Sequence, residues 1–272
     1  MNQIDRLKRK VCENRNITKE EALSLYEAPL APLTAAADEI RRRFCGNRFD
    51  LCAIVNAKSG RCGEDCTFCA QSSRYPTETA AYPLLSQREI ISTAKTEDQG
   101  GVKHFGIVTS GKFLPAQEME EVCRSMETLK KETSLVLCTS LGLLREAQFE
   151  KLKAAGVTRI HNNLETSRRF FPQICTSHSY DDKIKTISAA RRSGLEVCSG
   201  GIFGLGETVE DRIELALTLR ELEIKSVPIN ILEPIPGTPL ETVTPLSEEE
   251  ILPIVAVFRF LLPDAFLRLA GG

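Results

Sequence analysis

Three thiols fall within eight residues of this chain, in Cys62-Gly-Glu-Asp-Cys66-Thr-Phe-Cys69. No fourth Cys or His follows closely enough to close a tetrahedron, whereas structural zinc takes four protein ligands, usually as two separated pairs. A 4Fe-4S cluster is held by thiolates, normally four. Three local ones leave one iron open to another molecule, and that open iron would be the functional point. The bland readings are a zinc site completed from elsewhere in the chain, or inert buried thiols. Gly60, Gly63, Glu64 and Asp65 make the segment a polar loop, a poor setting for apolar burial.

A second set of chemistry-bearing residues is spread along the chain. Cys52, Cys138 and Cys198 stand in strand-like runs, as does Arg268, which is costly to bury unpaired. Each thiol alone reads as a core residue, but the four together suggest a second metal centre. Arg159, His161, Asn163 and Glu165 alternate along another run, and one face carrying all four would be expensive to bury without a polar ligand. Ser226 and Asn230 share the inward face of a run whose other face is Val227, Ile229 and Ile231. A packed barrel core would hold Val, Ile and Leu at such positions, so the interior reads as a ligand cavity. Cys12, Cys45 and Cys123 lie in helical patterns and read as structural, and Cys175 follows the fourth strand in a loop as a possible extra ligand.

These residues need a scaffold that turns separate strands toward one interior. Residues 1–48 read as a helical extension covering the barrel bottom, with Thr18-x-x-Glu21 as a capping box. From 49 to 272 strand-like and helical runs alternate, the pattern of a parallel α/β barrel. Strands are predicted at 50–57, 102–108, 134–140, 157–165, 195–203, 226–232 and 265–270. Helices are predicted at 87–98, 116–131, 145–155, 180–193, 209–222 and 248–261. A (βα)8 TIM-type barrel needs one strand more, expected beyond residue 272, and an open partial barrel is the alternative. A length of 272 residues and 42% hydrophobic content suit one such soluble domain. A net charge of −2 offers no attraction for nucleic acid or acidic membranes. With no apolar signal core and no membrane-length run, a cytoplasmic protein is expected. Ten cysteines in such a chain are read as ligands and core thiols rather than disulfides.

The cysteine spacing, with Phe68 before the third thiol, resembles the radical S-adenosylmethionine (radical SAM) enzymes. Extended to Cys62–Tyr75, His161-Asn-Asn-Leu-Glu-Thr166, Val197–Thr208, Ser226-Val-Pro-Ile-Asn230 and Arg268-Leu269, the resemblance narrows to the biotin synthase family. It implies a homodimeric (βα)8 barrel that inserts sulfur between C6 and C9 of dethiobiotin. S-Adenosylmethionine, an external electron donor such as flavodoxin or ferredoxin, and an auxiliary iron-sulfur cluster acting as sulfur source are implied with it.

By the same resemblance Cys62, Cys66 and Cys69 hold the 4Fe-4S cluster, and the backbone around Phe68 contacts adenine. Gly200, Ile202, Gly204 and Glu207 match an adenosine-supporting motif. Glu165 stands where the family has an aspartate for the ribose hydroxyls, and Lys183 where it has an arginine near the methionyl carboxylate. Asn163 and Asn230 match asparagines that hold the ureido ring, with His161 in place of a third. Cys138, Cys198 and Arg268 match ligands of the auxiliary 2Fe-2S cluster. The family's remaining cysteine ligand, on the second strand, is Gly106 here, and Cys52 replaces a first-strand serine. One ligand is thus inferred to have moved between strands, around a cluster of 2Fe-2S or larger size. The competing readings are a hydrogenase maturase-like or methylornithine synthase-like relative, and a non-catalytic metal-binding protein.

Overall fold

The computed structural model describes residues 2–49 and 51–270. Asp50, where the first strand is expected to start, lies outside them, as do Met1, Gly271 and Gly272 at the outer limits of the two expected segments.

Three helices come first: α1 Gln3–Cys12, α2 Lys19–Tyr26 and α3 Leu30–Cys45. The Thr18 hydroxyl caps the backbone N–H of Glu21, and the Glu21 carboxylate returns to the N–H of Thr18, satisfying two donors that a helix start leaves free. These helices, expected as a cover for the barrel bottom, pack against the last two helices of the chain.

Strands and helices then alternate: β1 Cys52–Lys58, α4 Gln87–Gln99, β2 His104–Thr109, α5 Ala116–Glu132, β3 Val136–Ser140, α6 Glu146–Ala154, β4 Arg159–His161, a short α7 Phe171–Ile174, α8 Tyr180–Arg192, β5 Glu196–Cys198, β6 Gly201–Phe203, α9 Val209–Glu221, β7 Ser226–Ile231, α10 Glu248–Leu261 and β8 Phe266–Ala270. All pairings are parallel, in the order β1-β2-β3-β4-β5-β7-β6 with β8 also on β7. Side-chain alternation sorts each strand. In β2, Phe105 and Ile107 are fully buried against the helix layer, each contributing on the order of 1.5–3 kcal/mol. The intervening Gly106 and Val108 face the interior. Helices supply the matching apolar face, as Met119, Val122, Met126 and Leu129 do in α5.

Two expected strands are cut short. The run 157–165 is regular only over Arg159–His161, so the alternation that would put Asn163 and Glu165 on the same strand face does not extend that far. Glu165 takes a φ of 71°, in the left-handed region that non-glycine residues rarely adopt. The run 195–203 is interrupted between Cys198 and Gly201, and β5 and β6 pair with β7 one after the other: Cys198 opposes Ser226, and Gly201 opposes Ile229. Glycine is required at the break. A Cβ on Gly200 would sit 1.9 Å from the Pro228 carbonyl oxygen, and one on Gly201 would sit 2.3 Å from that of Glu165.

Counted as one interrupted strand, β5 and β6 leave seven positions in the sheet. Its edges are β1 and β8, and among the described residues no pairing joins them. The architecture is therefore a partial TIM barrel, and no helix among the described residues is long and apolar enough to cross a membrane.

Candidate active site

Cys62, Cys66 and Cys69 all lie, half-buried, on the loop that follows β1. The loop is stitched to itself and to the segment after α7. Cys62 N–H donates to the Gln71 carbonyl at 3.0 Å, and Ser73 N–H to the Cys62 carbonyl at 2.7 Å. Thr67 N–H reaches the Ile174 carbonyl at 2.9 Å. The Asp65 carboxylate accepts from the backbone N–H groups of Thr176 and Ser177, both at 2.9 Å, and from the Thr176 hydroxyl. Burial works to raise the Asp65 pKa, but these donors outweigh it and hold the carboxyl far below the usual range. Phe68 packs on the edge of the core. A polar loop that carries all three thiols is thereby fixed in place.

Cys175 and His178 belong to this region, which the spacing of the triad did not reveal. Cys175 Sγ stands 3.8 Å from Cys66 Sγ and 3.2 Å from His178 Nδ1, and His178 Nδ1 is 2.6 Å from Glu64 Oε2. The S–H of Cys66, with His178 and Ser177, draws the Cys175 thiol below its ordinary value, while burial resists the shift. The signal was present as Cys175-x-x-His178, but its partner lies 109 positions earlier in sequence.

Deeper in the barrel is a cavity of about 280 Å³ lined by Cys52, Gly106, Cys138, Arg159, His161, Cys198, Asn230 and Arg268 among others. Register assembles it. Gly106 pairs with Ile54 and with Cys138, Cys138 with Arg159, His161 with Cys198, and Cys198 with Ser226. Arg268 Nη2 donates to Cys198 Sγ at 3.1 Å, and the Ser226 hydroxyl does so at 3.3 Å. Burial pushes the Cys138 thiol up to about 12 against the pull of Arg159. Desolvation lowers the half-buried His161 to about 4, so it is neutral at pH 7, with Nδ1 3.5 Å from Cys198 Sγ. Cys52 reaches the same cavity from an exposed position at the start of β1 rather than mid-strand. It pairs with His104, two residues before Gly106. A Cβ on Gly106 would meet Ile54 Cγ2 at 3.3 Å and Cys138 Cβ at 3.7 Å, so glycine keeps this wall low.

Between the two regions lie Glu165 and Lys183, whose charges bear on both Cys66 and His161. Glu165 Oε2 is buried without a hydrogen-bond partner, on strained backbone, an expensive arrangement that a ligand hydroxyl would relieve. Lys183 makes no ion pair among the described residues. Asn163 Oδ1 accepts from Gly200 N–H at 3.0 Å, and Asn230 Nδ2 donates to the Gly201 carbonyl at 3.0 Å, so these amides brace the broken strand. Each keeps its other polar end: a donor on Asn163 and an acceptor on Asn230. Ile202 N–H continues the brace by donating to the Glu165 carbonyl at 2.9 Å.

Glu207 is committed differently from a ligand-contacting residue. Its carboxylate accepts from the N–H groups of Gly204 and Leu205 at 3.0 and 2.7 Å, and from Arg212 Nε at 2.7 Å. It shapes the loop that carries Gly204.

The sequence matches the family description "Radical SAM superfamily" over residues 57–219 and "Biotin and Thiamin Synthesis associated domain" over residues 228–272. It is 53% identical to a biotin synthase of Brachyspira hyodysenteriae, covering 99% of this chain and 81% of that protein. It is 52% identical to one of Clostridium botulinum (100% and 86%), and 50% identical to biotin synthase 2 of Corynebacterium diphtheriae (100% and 83%). Among solved structures, methylornithine synthase superposes with a TM-score of 0.85 at 23% identity, covering 97% of this chain and 80% of that one. A maturase of the [FeFe]-hydrogenase gives 0.83 at 18% identity (97% and 62%). At such identities the structural likeness concerns the fold.

Proposed function

The chain belongs to the biotin synthase family of radical SAM enzymes, and from that premise we propose how its own residues divide the work of inserting sulfur between C6 and C9 of dethiobiotin. The observation that carries the reading is the cavity itself. Three thiols, two arginines, a neutral histidine and an asparagine, drawn from six strands, converge in one interior.

Cys62, Cys66 and Cys69 would hold the 4Fe-4S cluster, and Cys52, Cys138 and Cys198, with Arg268, the auxiliary one. When bound, the first cluster with S-adenosylmethionine supplies the electron and the deoxyadenosyl radical for hydrogen abstraction, and the second supplies sulfur. The donor set fits both groups: thiols suit iron, and the orphaned Glu165 oxygen suits a ribose diol. Lys183 would face the methionyl carboxylate as a point charge, without an arginine's bidentate fork. The free donor of Asn163 and free acceptor of Asn230 complement the carbonyl and N–H of a ureido ring. His161, held neutral by burial, would complete that polar wall. Phe68, Gly200, Ile202 and Gly204 would line the adenosine side, with Glu207 supporting from behind.

The moved ligand, Cys52 for the position now Gly106, would leave room for an auxiliary cluster larger than 2Fe-2S. Residues 1–48 would serve as a helical extension and 49–272 as the catalytic barrel of a cytoplasmic homodimer fed by flavodoxin or ferredoxin.

The test is an anaerobic assay of reconstituted protein with dethiobiotin, S-adenosylmethionine and a reductant, read by mass spectrometry. Biotin is expected with 5'-deoxyadenosine. Deoxyadenosine without biotin in fully reconstituted protein would overturn the assignment of dethiobiotin as substrate.

A further inference from the structure

Cys66, Cys175 and His178 place their ligating atoms within 4.8 Å of one another, on two segments far apart in sequence. The spacing differs in kind from that of cluster ligands. Two thiolates bound at about 2.3 Å to one tetrahedral ion stand about 3.8 Å apart, whereas thiolates on two irons of a cluster stand much farther apart. The observed Cys66–Cys175 separation is 3.8 Å. For a thiolate and an imidazole on one zinc ion the corresponding edge is about 3.5 Å. Cys175 Sγ lies 3.2 Å from His178 Nδ1 and 3.8 Å from Nε2.

The surroundings are those of a built ligand set. His178 Nδ1 is 2.6 Å from Glu64 Oε2, the carboxylate–histidine arrangement that fixes a ring's tautomer and turns its other nitrogen toward a metal. Glu64 is held in turn by the Ser177 hydroxyl at 2.9 Å. Asp65 fixes the 175–178 turn through Thr176 and Ser177. His178 and Glu64 side chains are only 6% and 14% exposed, yet the cluster chemistry proposed above uses neither.

We propose that Cys66, Cys175 and His178 form a mononuclear site for a thiophilic divalent cation of the zinc class, with Glu64 orienting the histidine. Both cysteines bind as thiolates, the protons they still hold leave to solvent, and a fourth coordination position is left for water. Because Cys66 serves both centres, the single ion and the 4Fe-4S cluster exclude one another. That exclusion rests on the cluster reading; the site itself does not.

The test uses the full chain stripped of iron and sulfide under anaerobic conditions and titrated with Co²⁺, then Zn²⁺. One Co²⁺ per chain with a tetrahedral thiolate spectrum, displaced by Zn²⁺, is expected for wild type and for Cys62→Ala. Cys175→Ala and His178→Ala should lose that spectrum, and Glu64→Gln should weaken affinity about 10- to 100-fold. Loss in Cys62→Ala as severe as in Cys175→Ala would put the ion on the loop triad and overturn the site, as would wild-type Co²⁺ binding by both Cys175→Ala and His178→Ala. Circular dichroism identifies a misfolded variant, in which case Cys175→Ser with His178→Gln replaces it under the same criteria. In a separate arm, one equivalent of Zn²⁺ should block growth of iron-sulfur absorbance in wild type but not in Cys175→Ala. Equal block in both would overturn the exclusion even where Co²⁺ binds as expected.

Discussion

The outer and inner thiol sets are built by opposite means. Cys62, Cys66 and Cys69 share one loop, so covalent spacing brings them together and hydrogen bonds to 174–178 fix their presentation. Cys52, Cys138, Cys198 and Arg268 come from β1, β3, β5 and β8, and meet because strand register brings them to one interior. A loop can hold its ligands while the sheet behind it shifts, but the inner set is only as exact as the register of the strands that run from β1 to β8. The outer site is therefore expected to depend on few residues and the inner one on many.

The largest expected effect separates the two chemically. Replacing Cys62, Cys66 or Cys69 with Ala should remove both deoxyadenosine and biotin, by on the order of 10³-fold or more, about 4 kcal/mol of barrier. Cys138→Ala or Cys198→Ala should remove biotin by a similar factor while deoxyadenosine still forms. Product analysis by mass spectrometry checks this, and equal loss of both products in the Cys138 variant would show that the regions do not act separately.

Cys52→Ala sharpens the same contrast. Anaerobically reconstituted protein should lose the auxiliary iron and sulfide yet still cleave S-adenosylmethionine, because Cys52 lies on the cavity and not on the loop. Unchanged iron and sulfide counts would remove Cys52 from the ligand set.

This contrast also explains what could be read before the structure. The loop triad was legible because its geometry is local. Cys138, Cys198 and Arg268 were legible as chemistry-bearing residues in strand-like runs and through the family resemblance, whereas alternation, which holds wherever the strands are regular, pointed to His161 and Asn230. Alternation failed at Asn163 and Glu165, where the chain leaves β4 and Glu165 turns to positive φ. It failed again at Gly200-Gly201, where close backbone approach breaks the fifth strand. Glu207 read as a binding residue because its motif says nothing of the three donors that its carboxylate accepts. The link from Cys66 to Cys175 and His178 stayed hidden because contact across the fold leaves no spacing in sequence.

If the inner set depends on register, the break at Gly200 should be the most sensitive backbone point. Gly200→Ala would force a Cβ to 1.9 Å from the Pro228 carbonyl oxygen, which cannot move without shifting β7. A loss of about 3 kcal/mol or more is expected, lowering the melting temperature by roughly 6–12 °C. Gly63→Ala in the outer loop, where the added methyl meets nothing within 4 Å, should cost little. Similar melting temperatures for the two variants would mean that the interior tolerates a change of register.

The smallest effect concerns a tie between the two regions. Asp211 in α9 is almost fully buried; it accepts from the Ser167 hydroxyl and Arg169 on the segment leading to Cys175, and from Thr208 N–H at 2.9 Å at the end of the Glu207 loop. Burial works to raise its pKa, but these donors hold it below the ordinary value. A carboxyl depressed on folding stabilises the native state above the unfolded pKa of about 3.9, and that contribution is lost as pH falls through the folded value. Asp211→Asn keeps the shape but not the charge, so it should cost about 1–3 kcal/mol at pH 7, read from urea midpoints. The gap to wild type should narrow below about pH 3.9, where the unfolded carboxyl takes up its proton while the native one stays ionised, until pH falls through the folded value. A gap that stayed constant with pH would show that Asp211 acts through its shape alone. Were the tie to hold only one region, deoxyadenosine and biotin formation would respond unequally to Asp211→Asn; equal, mild losses are expected because both loops hang from the same carboxylate.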